Sequence, residues 1–137
     1  MSPNETGVAP DVELYRLVHP EYHVDWDHDE NRWRVKSSAF QNSTKPVKSD
    51  RMSVVLGDTL ENEGRSPEDA RRTKPTWYVV SLTTHFVTSE QQEVERDPIP
   101  EEPAHGNVVG AKNPRRRSRF ARAARWIVEP PPRTSEG

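Results

Sequence analysis

Apolar positions along the chain fall into short clusters separated by polar and proline-rich stretches. Over residues 12–18, Val12, Leu14, Leu17 and Val18 surround Tyr15, and Pro20 stops the element; the spacing predicts a short strand. Over residues 33–40, Trp33, Val35 and Ser37 alternate with Arg34, Lys36 and Ser38, which predicts a half-buried strand ending near Phe40. The run MSVVL at residues 52–56 reads as a buried strand. The clearest segment is TWYVVSLTTHFVT, residues 76–88, in which Tyr78, Val80 and Leu82 alternate with Trp77, Val79 and Ser81; β-branched and aromatic side chains favour a pleated, buried setting, so a central strand is expected. Val108 and Val109, between Gly106 and Gly110, predict a last short strand.

Two stretches read as helices. Ser66-Pro67-Glu68-Asp69 carries a capping serine, a proline at the first helical position and acids in the first turn, which predicts a short helix to Arg72. From Pro114 to about residue 128, Phe120, Ala123, Ala124 and Ile127 share one helical face and arginines cover the rest. Together these elements define an α+β fold with a small, mostly antiparallel sheet of four or five strands, one short helix and an arginine-rich C-terminal helix. Trp33, Phe40, Val54, Leu56, Trp77, Val79, Leu82 and Val108 are the expected core. Residues 11–128 read as one domain, with residues 1–10 and the proline-rich residues 129–137 as disordered tails.

Composition narrows this picture. The 137 residues suffice for one domain, but with 31% hydrophobic residues and a mean hydropathy of -1.02 apolar burial has little surplus over the entropy of ordering the whole chain. The absence of cysteine excludes disulfides, thiolate catalysis and thiolate-bound zinc, and fits a reducing, cytoplasmic setting. No signal-like amino end and no long apolar run is present, so no membrane partner is expected. No glycine-rich phosphate loop is legible, and no cofactor is expected.

Charge is segregated although it sums to only -2. Lys112, Arg115, Arg116, Arg117, Arg119, Arg122 and Arg125 form a run without a single acid, which points to a binding protein whose basic helix contacts an acidic protein or nucleic acid through Arg115, Arg116, Arg119, Arg122 and Arg125. The competing reading is that the helix pairs within the molecule with the acidic run Glu90, Glu93, Glu95, Asp97, Glu101 and Glu102. His19, His23, Asp25, Asp27 and His28 include metal-ligating types, yet Pro20 prevents a helical alignment and no metal site is expected. Ser37, Ser38, Ser53, His85 and His105 could supply hydrolytic chemistry if a serine, a histidine and an orienting carboxylate met.

The succession LYRLVHP, RWRVKSSAF, MSVVL and DPIPEEPAHGNVVG resembles a set of small uncharacterised bacterial proteins that share an SSxAF segment, an MSV segment and a PAH followed by a small apolar strand. The resemblance covers most of residues 14–110 and implies no activity, but it draws attention to Arg16, His19, Ser37, Ser38, Phe40, Met52, Ser53 and His105 as a shared site. Those proteins carry asparagine before PAH, where this chain has Glu102. The layout is also loosely similar to compact ADP-ribosyltransferase-like folds, with Arg16 or His19, Ser37 or Ser38, and Glu90 or Glu93 in the corresponding parts. The alternative function is therefore a small enzyme or toxin-like domain whose pocket gathers Arg16, His19, Ser38, Ser53 and His105. Convergence of these side chains favours the enzyme, and scattering disposes of it.

Overall fold

Strand-forming clusters and helix caps assemble into an α+β domain in the computed structural model, which describes residues 8–44 and 47–133. Six strands form one antiparallel sheet: β1 (Glu13–Val18), β4 (Arg51–Leu56), β5 (Tyr78–Thr83), β6 (Glu93–Arg96), β7 (His105–Val109) and β8 (Arg125–Val128), in the order β6-β7-β4-β1-β5-β8. A separate hairpin joins β2 (Val24–Asp27) to β3 (Arg32–Val35). Its turn is built locally, since the Asp27 carboxylate accepts the N–H groups of Asp29 and Glu30 while Asn31 takes the left-handed conformation at φ 53°.

Strand alternation gives the sheet two different faces. Leu14, Val18, Met52, Val54, Leu56, Val80, Leu82 and Val108 lie on one, under α2 (Thr84–Ser89), α3 (Pro114–Ala123) and the 3-10 turn Ser37–Phe40. Phe120 is fully buried there, with its ring edge-on to both Phe40 and Phe86. Tyr15, Val55 and Val79 lie on the other face, covered by Leu60 of α1 (Gly57–Asn62), Ala70 of the 3-10 helix Pro67–Arg71, and Ala104. That cover leaves the portion beside Ser53 and His105 open.

Several elements differ from the sequence expectation. The run 76–88 divides at Thr83, whose hydroxyl accepts the Phe86 N–H at 3.1 Å and starts α2; this N-cap outweighs the β preference of the residues that follow. The helix over 114–128 stops at Ala123. Asn113 caps its start through the Arg116 N–H at 2.8 Å, but Ala124 is extended and residues 125–128 pair with β5 instead. Arg125 therefore sits on a strand and not on the basic helix. The helix expected near Ser66 is a 3-10 turn without a side-chain cap bond, and β3 ends at Val35 before a 3-10 turn. The acidic stretch after Ser89 contains an unforeseen strand, β6.

Core and boundaries also shift. Phe40, Val54, Leu56, Val79, Leu82 and Val108 are buried as expected, whereas Trp33 and Trp77 are only half-buried. Of the expected tails, residues 1–7 and 134–137 lie outside the described residues. Val8 is buried in the core, the Pro10 carbonyl accepts the His85 N–H, and the Pro131 carbonyl accepts the Trp33 indole N–H, so residues 8–10 and 129–133 belong to the packed domain. Among the described residues no helix is long and apolar enough to cross a membrane.

Candidate functional site

Between β1 and β4 the ladder runs only from Leu14↔Leu56 to Tyr15↔Val55. Beyond that point the two strands part, and the Arg16 guanidinium fills the opening: Nη1 donates to the Ser53 carbonyl at 2.8 Å and Nε to the Ala39 carbonyl at 2.9 Å. One cation thereby satisfies a β4 carbonyl at the gap and a carbonyl of the 3-10 turn Ser37–Phe40. Removal from water lowers the Arg16 pKa to about 10, which leaves it charged at neutral pH.

The gap opens onto a pocket of about 380 Å3 whose wall includes Tyr15, Arg16, Leu17, Ser53, Lys74, Trp77, Glu102 and His105. Antiparallel pairing of β4 with β7 puts Val55 opposite His105 and Ser53 opposite Asn107, so the Ser53 and His105 side chains rise from the same face as diagonal neighbours. Ser53 Oγ lies 3.1 Å from His105 Nε2. His105 Nδ1 lies 2.7 Å from the Asp97 carbonyl and 3.4 Å from its carboxylate Oδ2. A carbonyl can only accept, so Nδ1 carries the proton and Nε2 is free to accept the Ser53 hydroxyl proton. Asn107 Nδ2 donates to Asp97 Oδ2 at 3.1 Å and holds that carboxylate beside the imidazole.

The remaining wall is apolar and cationic. Trp77 takes an edge-on contact from the His19 ring at 4.8 Å and carries the Lys74 ammonium over its face at 4.8 Å. Glu102 is the acid in the wall, and Arg65 binds it with two hydrogen bonds of 2.6 and 2.7 Å. Glu102 also accepts the Ala104 N–H at 3.0 Å, which fixes the chain next to His105. Burial alone would raise the Glu102 pKa, but Arg65, the Ala104 N–H and Arg72 outweigh it and hold the carboxyl below its usual range.

Of the enzyme residues expected from sequence, Arg16, Ser53 and His105 therefore meet in one pocket. His19 touches it through Trp77. Ser38 lies in the 3-10 turn outside the pocket wall, as does Ser37. Glu90 and Glu93 do not line it either, and Glu90 is held by Arg119 and Arg116. Sequence reasoning missed Asp97, Asn107, Lys74 and Tyr15; the pairing of β6 with β7 that assembles the first two had no apolar signature.

The other sequence-level clusters resolve differently. His19 Nδ1 accepts the N–H groups of Glu21 and Tyr22, and His23 Nδ1 accepts the His19 N–H, so these rings shape a loop. Among the described residues no three metal-ligating side chains converge. Within the basic run, Arg119 pairs with Glu90 at 2.8 Å, Arg116 with Glu90 and Gln91, and Arg125 with Glu13 at 3.2 Å. Arg117 donates to the Lys112 carbonyl, and Lys112 is buried against three oxygen acceptors. Only Glu90 of the acidic run pairs with α3 among the described residues. Arg115 and Arg122 have no partner there.

The fold and site define an α+β domain with a serine–histidine pair in an apolar, cation-rimmed pocket. Compared with protein-family models, curated proteins and solved structures, the chain matches none.

Proposed function

We propose that this protein is a small hydrolytic enzyme acting on an ester that carries an anionic group, with Ser53 as nucleophile and His105 as general base. The observation that carries this reading is the 3.1 Å contact between Ser53 Oγ and His105 Nε2 inside the pocket. Ser53 Oγ attacks the ester carbonyl carbon while its proton passes to Nε2. Collapse of the tetrahedral adduct breaks the bond to the leaving oxygen, which takes that proton, and water then releases the acyl group from Ser53 by the same steps in reverse. Asp97 and Asn107 position the imidazole. Arg16 and Lys74 supply positive charge for the substrate's anionic group, and Tyr15, Leu17 and Trp77 bury its apolar part.

A fluorophosphonate probe, which reacts with activated serines, tests this directly when the labelled peptide is read by mass spectrometry. Labelling should fall on Ser53 and drop at least about a hundredfold in His105→Ala, since a positioned base contributes roughly that much or more. Wild-type protein that stays unlabelled, or equal labelling in a folded His105→Ala variant, overturns the assignment.

A second reading, a binding protein that contacts an acidic protein or nucleic acid through α3, is supported by the exposed guanidinium groups of Arg115 and Arg122. The ion pairs of Arg116, Arg119 and Arg125 within the molecule reduce the charge it can offer a partner. Loss of binding in Arg115→Glu/Arg122→Glu, with the far-UV spectrum unchanged, is its expected outcome.

A further inference from the structure

The β2–β3 hairpin stands beside α3 and β8 across a cleft of about 300 Å3, lined in part by Arg32, Trp33, Arg34, Arg122 and Trp126. None of its lining residues is acidic. The Trp126 indole N–H donates to the Trp33 carbonyl at 3.1 Å, and the Trp33 indole N–H donates to the Pro131 carbonyl at 2.8 Å. With both N–H groups used, what the two half-buried indoles still offer is ring surface. Trp26 stands edge-on to Trp33 at 5.2 Å, and the Arg133 guanidinium already lies over the Trp26 ring at 5.5 Å. Three of the chain's four tryptophans are thus gathered among arginines. Arg34 is held by Asp27 at 3.0 Å, whereas Arg32 and Arg122 have no partner among the described residues.

We propose that this cleft binds single-stranded nucleic acid, with Arg32 and Arg122 on phosphates and a base against the exposed indole surface of Trp33 or Trp126. Unstacked bases pair a planar ring with each phosphate, and aromatic platforms flanked by cations fit that repeat. An extended acidic peptide fits less well. It would bind by adding a strand to the free edge of β3, and the Trp33 carbonyl that such a strand needs is capped by Trp126. The inference rests on the partner-binding reading of the arginine segment and moves its centre from the whole helix to this cleft; it is independent of the Ser53 pocket.

Titration of the full chain with an oligothymidylate of about 20 nucleotides at 50 mM salt, followed by tryptophan fluorescence, tests it. Binding should quench the emission, and a Trp77→Phe control, altered only at the distant pocket, should keep the quench. Arg32→Ala/Arg122→Ala should weaken binding at least tenfold and lower the slope of log affinity against log salt by about 1.4, as loss of two single-strand phosphate contacts requires. Circular dichroism establishes that the variant is folded. Absence of binding, or a polyglutamate peptide that binds as tightly and quenches equally, overturns the proposal. Binding lost in Arg115→Ala but unchanged in the double variant also overturns the cleft, while leaving the broader reading of α3 standing.

Discussion

Arg65 and Glu102 form a two-bond ion pair, at 2.6 and 2.7 Å, whose side chains are only 10% and 5% exposed. The pair ties the turn after α1 to the segment that leads into β7. Stranding one member of a buried pair costs about 3–5 kcal/mol, but here Arg65 keeps Glu63 at 2.8 Å and Asp69 at 3.3 Å, and Glu102 keeps Arg72 at 3.6 Å and the Ala104 N–H. Arg65→Ala and Glu102→Ala should therefore each cost less than that, and the double variant should cost less than their sum. Urea unfolding of the three variants measures this, and additive losses would show that the two groups do not act on each other.

Glu102 also makes stability depend on pH. Its folded pKa is lowered, like that of Asp58, which takes hydrogen bonds from Arg96, and that of Glu90, which takes them from Arg119. A carboxyl with a depressed folded pKa contributes stability above its unfolded value, near 4.3 for a glutamate and 3.9 for an aspartate, and loses it as pH falls through the folded value. The urea midpoint should therefore begin to fall below about pH 6.5, where the unfolded chain protonates His23 while burial holds its folded pKa down, and fall further below about pH 4.5 as these carboxyls protonate. Glu102→Gln should make that acid limb shallower without moving the point where it begins. An unchanged acid limb would remove Glu102 from the account.

Arg16 closes the opening between β1 and β4 with hydrogen bonds to the Ala39 and Ser53 carbonyls. Arg16→Leu leaves both acceptors without a donor, and each stranded buried group costs about 1–3 kcal/mol. Arg16→Lys retains the charge but not the fork that reaches both oxygens, so its loss should be intermediate. Thermal unfolding of the two variants orders them; an Arg16→Lys midpoint equal to that of the native chain would show that charge alone is what the gap requires.

Phe120 is fully buried, with ring contacts to Phe40 and Phe86 at 5.9 and 5.6 Å. Truncation to alanine opens a cavity in the main core and should cost about 3–5 kcal/mol, a large part of the stability of a domain this size. Phe120→Leu should recover most of it. A midpoint near that of the native chain for Phe120→Ala would mean that α3 is held by its arginine contacts instead.

The legible parts of this fold are those where burial writes itself into residue type. β1, β4 and β7 carry apolar clusters, and their strands appear where the pattern puts them. β6 does not, because Glu93, Glu95 and Arg96 face solvent or ion pairs and only Val94 packs on the core. The helical stretch after Thr83 and the strand after Ala124 were hidden for the opposite reason: apolar residues suit either structure, and a single cap or an edge pairing decides. Ser53 and His105 could be singled out by chemistry, and Arg16 by the resemblance of its segment. That Asp97 and Asn107 complete their arrangement depends on which strand lies beside β7, and no local pattern encodes that.

Trp77 links the stability of the sheet to the shape of the pocket. As a core residue of a central strand, its truncation would cost about 3–5 kcal/mol. In the structure it precedes β5, is half-buried, and forms the pocket wall between His19 and Lys74. Trp77→Ala should then cost about 1–2 kcal/mol, in proportion to the apolar surface it removes from water. The same change strips apolar wall from the pocket and frees Lys74 from the indole face. An environment-sensitive anionic probe such as anilinonaphthalene sulfonate should bind the native pocket and lose affinity in Trp77→Ala more than in Phe120→Leu. A large stability loss with unchanged probe binding would return Trp77 to the core and leave the pocket without its aromatic wall.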